Sequence, residues 1–426
     1  MSTPEIPEDT HEQVAGNGLL HRRLFLTQSA ALLSASGLGL MTARPAAAQE
    51  LDPWLQTPGL ALSGYGERSP FEADVARTVL PAAGTTGSGA ARTPLESLEG
   101  IITPNGLFFE RHHAGIPEID PERHQLLIHG LVERPLVFSM EALSRYPMES
   151  RIQFLECSGN SRPNLAETPP QETCGFLHGT VSCSEWTGIP LSVLLDEAGV
   201  SPEAAWLLAE GADAAAMTRS VPLAKAMDDA LIALYQNGER IRPSNGYPMR
   251  LFLPGYEGNA SIKWLRRIKL TEGPQMTREE TSKYTDLQRD GRSLQFTFDM
   301  DVKSVITSPS VGLALNGPGL YQISGIAWTG AGRIRRVEVS ADGGQSWADA
   351  ALSDPVLPKA LTRFRMAWRH DGGPATLLSR AIDEAGNVQP LRSDFMAANG
   401  PQVSYHNNSI QAWAIDSDGA VSNAYV

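Results

Sequence analysis

Apolar and polar positions alternate in short runs through the middle of the chain, and only a few stretches carry a helical period. Gln125-Leu-Leu-Ile-His129 and Met249-Arg-Leu-Phe-Leu253 predict strands, the second stopped by Pro254-Gly255. Ser139 to Tyr146 and Leu191 to Ala198 space their apolar residues as helices do. Arg151 to Glu156 reads as a strand with Ile152, Phe154 and Glu156 on one face, and Cys157 then opens a Ser-Gly-Asn turn. No regular repeat of strand and crossover helix appears, so Ile101 to about Leu270 predicts a mixed α+β domain rather than a doubly wound sheet. Past about Asp286 the texture changes. Tyr321 to Trp328, Ile334 to Ser340 and Ala375 to Ile382 are strand-like, Asp342-Gly343-Gly344 and Asp383 to Gly386 supply turns, and no helical stretch intervenes, which predicts a small β-sandwich.

The N-terminal residues have a different pattern. Arg22-Arg23-Leu-Phe-Leu, a modest apolar run from Ala30 to Met41, and Ala46-Ala47-Ala48 predict a twin-arginine signal over residues 1–48, cut after Ala48, with the periplasm as destination. The run is too short and too broken by Gly and Ser to span a bilayer. That export route implies a folded passenger with its cofactor already inserted. Residues 49–100, rich in Pro, Gly, Ser and Thr, predict an extended arm held to the body by Trp54 and Phe71. The expected division is then residues 101–290 for the catalytic domain and 291–426 for the sandwich. At 42% hydrophobic and 19% charged, 426 residues can bury a large core without disulfides. The balance of 35 basic and 48 acidic residues, a net charge of −13, argues against nucleic acid or an anionic membrane as partner. Three cysteines, Cys157, Cys174 and Cys183, leave at least one sulfur free.

Cys157, presented at a strand end, is a metal ligand, a nucleophile or simply a buried thiol. Three clusters surround the question: Phe108 to His113, Asn245 to Arg250, and Ser261 to Arg267. Arg and Lys among loop amides suit a phosphate or a pterin-like heterocycle, because fork donors match phosphate oxygens and amides match ring edges. Taken singly, each better suits a solvated basic loop. Adjacent His112 and His113 would point to opposite faces of a strand, so they make a poor zinc pair. The motifs of c-type haem attachment, of a hydrolase nucleophile elbow and of a dinucleotide-binding turn are missing from the sequence.

Taken together, Glu156-Cys-Ser-Gly-Asn-Ser-Arg162, Phe109-Glu-Arg-His-His113, Gly246-Tyr-Pro-Met-Arg250 and Lys263-Trp264 resemble the molybdopterin-binding domain of the sulfite oxidase family. Val337 to Trp347 and Asp383 to Pro390 are similar to that family's immunoglobulin-like dimerisation domain. The resemblance implies a molybdenum–molybdopterin cofactor with Cys157 as the thiolate on the metal. It implies that Phe109, Glu110, Arg111, His112, His113, Asp213, Asn245, Arg250, Ser261, Ile262 and Lys263 hold the pterin and its phosphate. Arg111 and Arg162 would border the substrate pocket with Tyr284. The chain also departs from the family: Asn245 stands where a pterin-binding His is usual, Phe176 where a pocket Trp is usual, and no Arg occurs near Tyr405 to Asn408. No haem-binding segment precedes the domain, so the expected electron acceptor is a separate carrier.

Those departures, with the Gly-Asn-Gly-Leu-Leu-His-Arg-Arg lead, Glu110 to Gly115 and Gln236 to Arg240, resemble the sulfane dehydrogenase subgroup. The partners this implies are a dihaem c-type cytochrome and a sulfur-carrier protein bearing a cysteine persulfide, around a homodimer within a hetero-oligomer. A sulfite dehydrogenase using the same site is the enzyme alternative, and a cofactor-free scaffold for a cytochrome the non-enzyme one.

Overall fold

The structure, a computed structural model, describes residues 13–21 and 52–426. Arg22, Arg23, the apolar run and the Ala46–Ala48 site lie outside the described residues. No described helix is long and apolar enough to cross a membrane.

The catalytic unit is built on two five-stranded sheets. One runs in the order Thr218–Pro222, Trp206–Gly211, Leu265–Thr271, Gln125–Gly130, Leu136–Ser139, antiparallel except for a parallel pair between Leu265–Thr271 and Gln125–Gly130. The other joins Glu149–Glu156, Val181–Pro190, Leu231–Gln236 and Glu239–Arg240, with Arg250–Phe252 also on Leu231–Gln236. Helix Leu191–Ala198 packs between them. Its Leu191, Leu194, Leu195 and Ala198 lie at helical spacing and are all fully buried. Gly199 then closes it at φ 70°, its amide donating to the Leu195 carbonyl at 3.0 Å. The helix expected from Ser139 to Tyr146 is a single turn, Met140–Leu143, capped by the Ser139 hydroxyl.

The expected arm divides into two parts. Trp54 and Phe71 do not anchor it: they are 74% and 94% exposed. From Thr78 onward the segment belongs to the catalytic unit, because Thr78–Pro81 pairs with Gly89–Arg92 and that strand with Glu110–His112. Arg111 therefore sits on a small sheet whose other two strands come from upstream of residue 101.

In the sandwich, Ala348–Asp349, Ile334–Ser340, Ala375–Asp383, Ala412–Ile415 and Val421–Ala424 form one sheet. Lys303–Ser308, Gly319–Trp328 and Thr362–His370 dominate the other. A helix, Arg392–Asn399, interrupts the strands, contrary to the sequence expectation. Its weak apolar periodicity, with Phe395 as its single buried residue, explains why the pattern hides it.

The sandwich core does not stop at the domain boundary. Trp328, Trp368 and Trp413 share one apolar cluster with Phe154, Cys174, Leu177, Val181 and Cys183 of the catalytic unit. Strand Glu149–Glu156 consequently loses its expected alternation: its last four residues, Gln153 to Glu156, are all buried because both faces are covered.

Candidate active site

Cys157 follows directly on that strand, and its turn is tied down on every side. The Cys157 amide donates to the Thr180 carbonyl at 2.9 Å, and the Asn160 amide returns to the Cys157 carbonyl at 2.8 Å. Buried Glu156 accepts from Asn160 Nδ2 at 2.8 Å and from the Trp328 indole at 2.6 Å. Lys303 Nζ donates to the Ser161 hydroxyl and the Asn407 carbonyl, both at 2.6 Å, and lies 3.6 Å from Glu156. Ser161 in turn bonds His178 Nδ1 at 2.6 Å, and His178 Nε2 meets Gln411 Oε1 at 3.0 Å. Trp328, Lys303, Asn407 and Gln411 belong to the sandwich, so that domain holds the thiol's turn in place. Ser161 takes φ 64°, a left-handed conformation that only surrounding structure can enforce. Burial raises the Cys157 thiol, while the Gly159 amide and Arg111 pull it back down. Cys174 and Cys183 are free, buried and part of the shared core, so neither bridges the other.

The sulfur opens onto a cavity. All eleven residues expected to hold a pterin line it, with Cys157 and Tyr284. The three separate clusters meet because Lys263 bridges them: its Nζ donates to the Arg111 carbonyl at 3.0 Å and the Ser244 carbonyl at 3.3 Å, and lies 2.8 Å from His112 Nδ1. Burial raises Glu110, but bonds from His112 and Arg77 outweigh it and hold the carboxyl at about 2. Arg250 donates to the carbonyls of Asn245 at 3.0 Å and Ser261 at 2.8 Å. Asn245 Nδ2 bonds Gln236, and the Ser261 hydroxyl accepts from the Leu253 amide.

The electrostatics show what the cradle is for. Arg250 is buried among carbonyls, and among the described residues neither it nor Lys263 is ion-paired to a carboxylate. Burial lowers Arg250 to about 9, and burial with Arg250 as neighbour drives Lys263 well down. Arg250 Nε and Asn259 Oδ1 are buried with no partner. The Arg250 guanidinium, buried beside a cavity with no counter-charge, is costly unless an anion completes it. The donor set fits molybdopterin: cations for its phosphate, amides and carbonyls for its ring edges, and the soft Cys157 sulfur for the metal.

On the substrate side the expected residues separate. Arg111 lines the cavity, bonded to the Gly89 carbonyl at 3.2 Å. Tyr284 faces it too, 3.2 Å from His113 Nε2 and with the Arg219 guanidinium 5.1 Å from its ring centroid. Burial, then Cys157 and Glu257, push the Tyr284 phenol strongly upward, so it stays neutral. His113 falls to about 4 through burial and the Arg111 and Arg278 charges. Arg162 is different: it is exposed and outside the cavity lining, at the start of the turn that follows Ser161.

Sequence reasoning missed Phe108, Met217, Ser244, Asn259 and Trp264 in the lining, and Tyr405, whose ring lies 5.7 Å from that of Tyr284. It also missed Arg92, stacked 4.5 Å over Phe176. Trp264 and Tyr405 were within quoted motifs, whereas Arg92 lies in the segment read as an arm.

A strand-end thiol and an unpaired buried guanidinium lining one cavity, on a mixed sheet unit fused to a sandwich, fit a molybdopterin-dependent oxidoreductase. The family model described as oxidoreductase molybdopterin binding domain matches residues 113–279, and that described as Mo-co oxidoreductase dimerisation domain matches residues 294–412. The chain belongs to the sulfite oxidase family. It is 31% identical over 325 residues to sulfite oxidase of Gallus gallus, covering 70% of this chain and 71% of that protein. It is 30% identical to mitochondrial sulfite oxidase of Homo sapiens, of whose length it spans 59%. Among solved structures, the sulfane dehydrogenase SoxCD from Paracoccus pantotrophus is similar with a TM-score of 0.86 and 46% identity, over 88% of this chain and 98% of that one. The enzyme is thus a molybdenum oxidoreductase with a molybdenum–pterin cofactor, and its two units carry the family's immunoglobulin-like sandwich behind an α+β catalytic domain.

Proposed function

We propose that the enzyme oxidises the outer sulfur of a cysteine persulfide carried on a partner protein, in the periplasm, and passes the electrons to a dihaem c-type cytochrome. The observation that carries this reading is the position of Arg162: it is exposed and outside the cavity lining, so Arg111 is the arginine left on the substrate side of that lining. A pocket poor in cations suits a thiolate-terminated arm better than a free oxyanion. The 46% identity to a sulfane dehydrogenase supports the same choice.

When bound, the molybdenum centre supplies oxygen-atom transfer and takes up electrons. The chain's own residues do the rest. Arg111 orients the anionic sulfur, and the neutral Tyr284 phenol, held by His113, offers a hydrogen bond without adding charge. Each oxygen delivered to sulfur comes from one water and releases two protons and two electrons. The family's dimerisation domain supports a homodimer within the larger assembly.

Steady-state assays with a c-type cytochrome as acceptor should give a much higher kcat/KM for persulfide-loaded carrier than for sulfite. A preference for sulfite would make the chain a sulfite dehydrogenase, and protein that folds and binds cytochrome without molybdenum would make it a scaffold.

A further inference from the structure

The residues ahead of the paired arginines have a structure of their own. Gln13–Ala15 and Leu19–Leu20 pair antiparallel around Gly16-Asn17-Gly18. Asn17 at φ 56° and Gly18 at φ 89° form the left-handed pair of a tight hairpin turn. This hairpin extends the edge of strand Thr362–His370, with Leu19 opposite Trp368. The Arg369 amide donates to the Gly18 carbonyl at 2.8 Å, and the Trp368 indole donates to the Asn17 carbonyl at 2.7 Å. The turn also reaches the loop between strands Ile334–Ser340 and Ala348–Asp349 of the other sheet, where Asn17 Nδ2 donates to the Ala341 carbonyl at 2.9 Å and the Gly16 amide to the Ser346 hydroxyl at 2.6 Å. Leu19 and Leu20 are 0% and 2% exposed.

The fit is specific. A Cβ on Gly16 would lie 2.1 Å from Asp342 Oδ2, and one on Gly18 would lie 1.9 Å from the Arg369 carbonyl oxygen. Nothing about a basic leader requires these glycines or buried leucines. What requires them is the surface they occupy.

We propose that the edge of strand Thr362–His370 is a binding slot for a Gly-Asn-Gly-Leu-Leu hairpin, and that residues 13–20 of this chain are its occupant. The slot draws on both sheets of the sandwich, so it exists only once that domain has folded. Cleavage after Ala48 would carry residues 13–20 away and reopen the slot. The inference concerns assembly and is independent of the substrate.

Hydrogen exchange on the full chain, its N terminus verified by mass spectrometry, tests it. Leu19→Asp with Leu20→Asp should speed exchange at the Arg369 amide roughly tenfold or more, while amides of strand Gly319–Trp328 and the molybdenum content stay unchanged. A synthetic peptide of residues 12–21 added to that variant should restore protection saturably, and the same peptide with Gly18→Ala should not. Unchanged exchange at Arg369 in the variant, or equal rescue by both peptides, would overturn the proposal.

Discussion

The turn at Cys157 is held chiefly by backbone bonds and by Glu156 to Asn160, so the sulfur can be changed without dismantling the turn. Cys157→Ser should fold and retain the pterin yet lose turnover by orders of magnitude, because a hard alkoxide replaces the soft ligand. Wild-type turnover in that variant would remove Cys157 from the metal. Arg250 makes the opposite case. Its charge is uncompensated until an anion arrives, so Arg250→Met should lower pterin content, and the loss of its bonds to the Asn245 and Ser261 carbonyls should cost the cofactor-free protein about 1–3 kcal/mol. Cofactor content and thermal midpoint, read on the same preparations, check both halves. His178 gives a pH signature. Burial, then the Lys303 charge, lower it from 6.5 to about 3, so the unfolded chain binds its proton more tightly than the folded one. Its contribution is complete above about pH 6.5 and is lost as pH falls toward about 3, and His178→Gln should flatten the denaturation midpoint across that window. The cradle was legible through the order and joint occurrence of the Cys157, Phe109 to His113, Gly246 to Arg250 and Lys263-Trp264 motifs, since each alone also suits a solvated basic loop. Which cations lack partners was not legible, because that depends on carbonyls brought in from Asn245, Ser244 and Ser261. Nor was the exposure of Arg162, which leaves it outside the cavity lining.

Among elements, those with a strong period were readable: Ile334–Ser340 and Leu191–Ala198 fall where the pattern puts them. Strand Glu149–Glu156 misled because two domains cover it, and helix Arg392–Asn399 stayed hidden because tertiary contacts hold what periodicity does not. The hairpin at residues 13–20 did carry a signal in Asn17-Gly18, but the neighbouring arginines drew the reading toward a leader. The turn after Asn245 offers an element-scale test. Gly246 adopts φ 116°, and a Cβ there would sit 3.2 Å from Lys263 Cα. Gly246→Ala should therefore cost about 1–3 kcal/mol and reduce bound pterin by displacing Lys263. A variant with native midpoint and full pterin would show that the turn does not position that lysine.

For the molecule as a whole, the family models draw a boundary between residues 279 and 294 that the packing does not respect. The shared cluster of Phe154 and Val181 with Trp328 and Trp413 predicts one calorimetric transition, with molybdenum release at the same temperature. Two resolved transitions would show that the units fold independently. Sequence texture located both domains but gave no sign of this common core, because its residues are ordinary buried apolar ones on either side. Lys303, Trp328, Asn407 and Gln411 reach across it to the turn beneath the thiol. The catalytic half is thus no portable cassette. A fusion that transplanted residues 78–290 to another protein would carry the mouth and walls of the redox pocket and leave its floor behind.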